Sequence, residues 1–292
     1  MVRSKGQLLQ ATIDALKRNG HEAKPVPTTG PNTAAAIVRE CINEGADVIL
    51  AAGGDGTINE IVNGMIGSQV PLGILPVGTA NVLACEMGMR THAPSAADLL
   101  ASAVPARIAA GRISGGLSEG RHFLLMAGIG LDAMIVYNID AEMKAKLGKV
   151  AYWIGGFQQL GKKLIEFDVR VNGDTHRCSF ALASRVRNYG GDLNIARQVT
   201  LFAEDFEVVL FKGANSLPYL KYFAGVLVNQ LPRLSGVEVL RTRALEVSAA
   251  ADPRVYIQID GEYAGRGPAK FEIVPDAVTL LVPPEFHSRR NG

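Results

Sequence analysis

Asp47-Val48-Ile49-Leu50-Ala51-Ala52-Gly53-Gly54-Asp55-Gly56-Thr57-Ile58-Asn59-Glu60 decides the fold class. After Asp47 the run is short and continuously apolar, the pattern of a strand buried on both faces of a parallel sheet. Three glycines in four residues follow, and a helix is expected from Thr57 through Met65. A strand that delivers a glycine turn to a helix N-terminus builds an anion site, because the first helical amides lack intrahelical partners and glycine lets phosphate oxygens come close. Thr57 and Asn59 add hydrogen-bond donors. Asp55 is the discordant member, since a carboxylate repels a phosphate unless it meets a metal, a ribose hydroxyl or a structural donor. An ordinary capped turn needs one polar residue, not three glycines.

Upstream, Leu8, Leu9, Ile13 and Leu16 recur at helical spacing with Gly20 as the stop, and Ala34 to Glu44 reads as a second helix. Downstream, Leu72-Gly73-Ile74-Leu75 is another buried strand, closed by Pro76-Val77-Gly78-Thr79-Ala80-Asn81 and a further helix. Consecutive junctions of a parallel sheet open on the same edge, so the two turns are expected to line one crevice, with Thr79 and Asn81 in reach of a ligand. Beyond about residue 105 the texture becomes β-rich. Strands are expected at 121–126, 166–171, 206–211, 255–260 and 270–274. The second and the last two alternate in period two, as antiparallel strands with one covered face do. Helices are expected around Glu142–Leu160 and Leu217–Asn229.

The 292 residues are 48% hydrophobic and 20% charged, which supplies a core for one large or two ordinary domains and rules out wholesale disorder. Lys plus Arg number 30 against 28 Asp plus Glu, a net charge of +2 that argues against holding nucleic acid by bulk electrostatics. Cys41, Cys85 and Cys178 are far apart and odd in number, so neither a disulfide framework nor a zinc site is expected. Every apolar run is broken well short of the ~20 residues a membrane helix needs, and a soluble, cytoplasmic protein is expected.

Two motifs are rejected as nucleotide loops. Gly156-Phe157-Gln158-Gln159-Leu160-Gly161-Lys162-Lys163 lacks the final Ser or Thr of a phosphate loop. Gly128-Ile129-Gly130-Leu131-Asp132-Ala133 lies in a β-rich context, with no acidic residue closing a following strand. Gln258-Ile259-Asp260-Gly261-Glu262 sets two carboxylates around a glycine at a strand end, where a plain Asp-Gly hairpin is the leading reading. Asn188-Tyr189-Gly190-Gly191-Asp192 is a turn-rich cluster, with a structural role favoured.

Taken in order, Gly53-Gly54-Asp55-Gly56-Thr57 with Asn59-Glu60, then Pro76 with Gly78-Thr79-Ala80-Asn81, then Asp260-Gly261-Glu262, resemble the diacylglycerol kinase catalytic-domain family, the soluble bacterial lipid kinases related to sphingosine and ceramide kinases. The likeness extends through Gly128–Ala133 and Asn188–Ala196. It implies an NAD-kinase-like parallel α/β nucleotide-binding domain at 1–108, with 276–292 returning to it, and an antiparallel β-sandwich lipid-substrate domain at 109–275. It also implies a kinase that uses ATP and Mg2+ to phosphorylate diacylglycerol or a related lipid alcohol. By the same resemblance Thr28, Gly53, Gly54, Asp55, Gly56, Thr57, Ile58, Asn59 and Thr79 hold the nucleotide, Glu262 is the general base and Asp260 supports it. The phosphate-binding cation is open among Lys144, Lys146, Lys149, Arg185 and Arg187.

The chain departs from the family pattern at several places. The usual opening strand and its Asn-Pro-x-x-Gly turn have no counterpart, so an edge of the nucleotide site is expected to be missing. Val82 stands where the family has Asp, and an Asp expected near Ala109 is absent. The family's Asp-Gly pair for a structural magnesium ion falls at Ala203-Glu204, with Asp205 adjacent. Transient peripheral membrane contact is expected through the Leu217–Leu227 segment and through Tyr152, Trp153 and Phe157 among Lys149, Lys162 and Lys163; core packing is the alternative. A homodimer is left open, and no nucleic-acid partner is expected. The competing functions are a non-catalytic lipid- or nucleotide-binding homologue and a kinase of a soluble substrate such as NAD.

Overall fold

The computed structural model describes residues 5–78, 80–89, 93–115, 118–138, 161–189, 193–228, 230–248 and 252–291. The chain divides into two compact units, Met1–Ile108 with Asp276–Gly292, and Ala109–Pro275.

The first unit opens with helices α1 (Lys5–Arg18) and α2 (Ala34–Asn43), followed by strand β1 (Ile49–Gly53), α3 (Asp55–Met65), strand β2 (Leu72–Pro76), α4 (Val82–Glu86) and α5 (Ala93–Leu100). Strand β3 (Val104–Ser114) then leads out of it. Gly20, at φ +81°, ends α1 as expected. β1 and β2 are parallel, in register from Ile49↔Leu72 to Gly53↔Pro76. The chain's last strand adds Leu280 in parallel on the other side of Leu72. β2 is therefore central, and Leu72 and Ile74 have no exposure. β1 differs from expectation. It ends the described sheet, Ile49 and Leu50 are half-buried and Ala52 is exposed. An apolar run reports low polarity, not the number of neighbours.

Helix α3 starts at Asp55, not Thr57, with Gly54 as its cap. Asp55 thus sits in the first turn, where its carboxylate complements the positive end of the helix dipole. A Cβ at Gly64 would lie 2.2 Å from Val38 Cγ1 and 2.6 Å from the Ala35 carbonyl, so this glycine allows α3 to lie close against α2.

The second unit contains β4 (His122–Phe123), β5 (Met126–Gly130), α6 (Leu131–Asn138), β6 (Phe167–Val171), β7 (Asp174–Cys178), β8 (Phe180–Ser184), β9 (Asn188–Tyr189), β10 (Leu193–Asn194) and β11 (Phe206–Phe211). A helix at Pro218–Leu227 precedes β12 (Val237–Thr242), β13 (Ala244–Val247), β14 (Tyr256–Ile259), β15 (Glu262–Arg266) and β16 (Ala269–Val282), which runs on into the first unit. One sheet has the order β12-β11-β8-β5-β14-β15 and is antiparallel throughout. The other joins the first half of β16 to β13, β6 and β7, also antiparallel. Side chains of both sheets share one core, in which Phe123 stacks on Phe206 at 5.7 Å and meets Phe271 edge-on at 6.4 Å. This is an antiparallel β-sandwich, the fold class expected beside the α/β unit.

Local expectations fare unevenly. β6 alternates, burying Phe167, Val169 and Val171, but Ile257, Gln258 and Ile259 of β14 are all buried. The expected strand 121–126 is broken at Leu124–Leu125 into β4 and β5, and Asp260 is the cause, as shown below. Gly128–Ala133 is the end of β5 and the start of α6, which the sequence reading did not anticipate. The helix expected at Glu142–Leu160 and Gly190–Asp192 lie outside the described residues.

Candidate active-site residues

In the first unit the two glycine turns touch. A Cβ built on Gly78 would stand 2.5 Å from Gly54 Cα and 2.8 Å from Asn81 Oδ1. A Cβ on Gly53 would stand 2.7 Å from Thr57 Cβ. Both contacts exclude larger residues and bring the backbone at the C-terminal ends of β1 and β2 together, beside the N-terminus of α3. The expected pairing of the turns is therefore present.

The individual residues divide by direction. Gly54, Asp55, Gly56 and Thr57 remain partly accessible, whereas Ile58 and Asn59 are 3% and 1% exposed. Ile58 N donates to Gly54 O at 3.0 Å and Asn63 Nδ2 donates to Asn59 O at 2.9 Å, so these two residues serve the helix and its core. Glu60 accepts from the amides of Asn32 (2.9 Å) and Ala34 (3.0 Å), capping α2. Asn81, expected to reach a ligand, instead closes its own turn. Its Oδ1 accepts from Gly78 N at 3.0 Å and its Nδ2 donates to Gly78 O at 2.7 Å, with φ at +47°. Thr28 is exposed in the irregular segment between α1 and α2, and Thr79 lies outside the described residues.

In the second unit, Asp260 and Gly261 form the two-residue turn between β14 and β15, with φ of +48° and +81°. These values suit a type I′ hairpin, so the plain hairpin reading holds. The Asp260 side chain does more. Oδ1 accepts from the amides of Leu125 (2.9 Å) and Met126 (3.0 Å), and Oδ2 from Leu124 (2.9 Å). Three successive amides turned to one carboxylate cannot continue a β ladder, which breaks the expected strand. Glu262 opens β15 and is half-exposed, and its Oε2 accepts from the Arg121 guanidinium. Arg121 was not among the expected cations. Its only sequence signal is its place at the start of an apolar strand.

Behind the turn lies a buried polar chain. The Tyr189 hydroxyl donates to Asp132 Oδ1, and Gln258 Nε2 donates to Asp132 Oδ2 at 2.8 Å. Gln258 Oε1 then accepts from Gly261 N at 2.8 Å. Burial raises the Asp132 pKa above the ordinary carboxylate range against the opposing effect of both donors. A Cβ at Gly128 would fall 1.7 Å from Asp132 Oδ2, so this glycine makes room for the carboxylate, whereas Gly130, at φ +79°, makes room for the Phe167 ring and the Ser179 carbonyl.

Of the expected cations, Arg185 is wholly buried and bonded to main-chain carbonyls, so it is unavailable to a phosphate. Arg187 is half-buried, and Lys144, Lys146 and Lys149 lie outside the described residues. The structural magnesium site implied at Ala203-Glu204 does not fit the residues present. The Leu201 and Ala203 carbonyls accept from Arg185, Glu204 pairs with Arg243 at 2.8 Å, and Asp205 is held by Arg241. Among the described residues no group of three or more His, Cys, Asp and Glu side chains could hold a metal.

A parallel α/β unit with paired glycine turns, together with an antiparallel sandwich, defines an NAD-kinase-like protein. Residues 3–113 match the diacylglycerol kinase catalytic domain, and residues 126–282 match the YegS C-terminal NAD kinase beta sandwich-like domain. The chain belongs to the diacylglycerol kinase catalytic-domain family. It is 26% identical over 283 residues to the diacylglycerol kinase of Bacillus subtilis, covering 95% of this chain and 91% of that protein. Its fold is similar to that of a Bacillus anthracis diacylglycerol kinase (TM-score 0.77, 19% identity, 96% and 92% covered). It is also similar to an Archaeoglobus fulgidus NAD kinase solved in complex with ATP (TM-score 0.56, 15% identity, 96% and 92% covered). Membership makes this chain a kinase-family protein. No described helix is long and apolar enough to cross a membrane.

Proposed function

We propose that this protein transfers the γ-phosphoryl group of ATP to the hydroxyl of diacylglycerol or a related lipid alcohol. The contact between Gly78 and Gly54 carries the reading, because it sets two turns of backbone side by side at the N-terminus of α3. Such a surface suits phosphate oxygens, with Gly53, Gly54, Gly56 and Thr57 as the near groups. Magnesium is commonly held by substrate phosphates plus one or two carboxylates, and Asp55 is the carboxylate at this turn. When bound it neutralises charge developing on the phosphates.

Glu262 is assigned as the base that accepts the lipid hydroxyl's proton as attack proceeds. Arg121 orients its carboxylate, and Asp260 fixes the turn that presents it. Contact with the bilayer is assigned to the helix Pro218–Leu227 and its flanks, where Leu217, Leu220, Leu227 and Val228 are exposed. Two comparisons test the reading. Glu262→Gln is expected to abolish labelled phosphate transfer to a diacylglycerol panel while ATP binding persists. Undiminished transfer, or transfer to NAD in preference to every lipid alcohol, would refute it.

A further inference from the structure

The segment leading into β11 folds around a buried positive charge. Arg185, just after β8, has no solvent exposure. Its Nη2 donates to the carbonyls of Leu201 (2.9 Å) and Ala203 (3.3 Å), and its Nη1 to that of Leu124 (3.3 Å). Its own amide donates to Leu125 O at 2.8 Å. Burial pulls the guanidinium pKa down to about 10, while the Asp260 and Asp205 carboxylates pull the other way, so the group stays charged at neutral pH. Main-chain carbonyls converging from a turn, with carboxylates behind them, form the kind of oxygen set that holds Mg2+ or Ca2+.

Here that set is already occupied by a covalently attached cation. Ala203 stands where the family pattern has its magnesium-binding Asp, and the carboxylate one residue on, Glu204, pairs with Arg243, while Arg185 brings a fixed positive charge to the turn's carbonyls. The neighbouring carboxylates are neutralised from outside. Arg241 Nε donates to Asp205 Oδ2 at 2.9 Å, and Arg243 Nη2 to Glu204 Oε2 at 2.8 Å.

We propose that the Arg185 guanidinium replaces the family's structural divalent cation, tying the Leu201–Ala203 turn to Leu124 so that this segment folds without metal. The tie reaches the candidate site by a short route, since Leu124 is both an acceptor for Arg185 and a donor to Asp260. The inference goes beyond the kinase reading and does not depend on it.

The test is thermal unfolding of the full chain, without nucleotide or lipid, in EDTA and in millimolar magnesium chloride. Equal midpoints in the two conditions are expected, and a midpoint that drops in EDTA and recovers with magnesium overturns the proposal. Arg185→Met should lower the midpoint by several degrees or prevent folding; an unchanged midpoint also overturns it. The double variant Arg185→Ala with Ala203→Asp restores the carboxylate and removes the internal cation. Its midpoint should rise with magnesium, and indifference to magnesium counts against the proposal. No outcome depends on turnover, so failure here is distinct from failure of the kinase reading.

Discussion

Asp260→Asn separates the carboxylate's work from that of the turn. Asn tolerates the left-handed φ of +48°, so the backbone of the hairpin is left in place. The Asn carbonyl oxygen can still accept from Leu125 and Met126, but its amide group then faces the Leu124 N–H, donor against donor. Losing one charge-assisted bond and leaving a buried amide unpaired costs about 2 kcal/mol, and weakening the other two from charged to neutral acceptors adds about 1 kcal/mol. The expected loss is therefore about 3 kcal/mol. With a urea slope of about 2 kcal/mol/M, the unfolding midpoint falls by about 1.5 M. Equilibrium unfolding in urea, followed by fluorescence and circular dichroism, measures this directly. A loss below about 0.5 kcal/mol, the scale of an ordinary surface substitution, would refute the claim that Asp260 anchors the Leu124–Met126 amides.

Gly78→Ala places a methyl group against Gly54 Cα and Asn81 Oδ1; it should destabilise by about 1–3 kcal/mol and weaken ATP binding, and unaltered binding by titration calorimetry would contradict the paired-turn site. Burial raises the Asp132 pKa above its ordinary value of 3.8, so the folded chain keeps a proton that the unfolded chain releases. The stabilisation associated with that proton is full below pH 3.8 and is lost as pH rises through the raised folded value. The stability difference between wild type and Asp132→Asn should change over that window, and a pH-independent difference would sink the reasoning. Leu220→Glu with Leu227→Glu should abolish co-sedimentation with lipid vesicles while leaving the fold intact; unchanged binding would remove that helix as the contact.

The residues that were readable along the chain are those whose chemistry is local. Gly53-Gly54-Asp55-Gly56 between an apolar run and a helical pattern announces the strand–turn–helix, and Leu72–Leu75 its neighbour. Phe180-Ala181-Leu182-Ala183-Ser184 and Met126-Ala127-Gly128-Ile129-Gly130 were not readable as central strands of the sandwich, because small residues carry little strand preference of their own. Their place is set by neighbours on both sides. The stretch from Arg121 to Met126 reads as one strand for a related reason: the group that breaks it, Asp260, is 134 to 136 residues away.

By itself the sequence determined the class of fold, the two glycine turns after β1 and β2 and the Asp260-Gly261-Glu262 hairpin, since glycine spacing and hydrophobic period act within a few residues. Only the tertiary structure decided which polar groups face inward. Asn59 and Asn81 turn out to serve their own helix and turn, Arg121 to meet Glu262, and Arg185 to be a buried cation rather than a phosphate ligand. A hydrogen bond or ion pair is decided by distance in space, and the partners of Arg185, from Leu124 to Asp260, are brought together by the sandwich rather than by the chain.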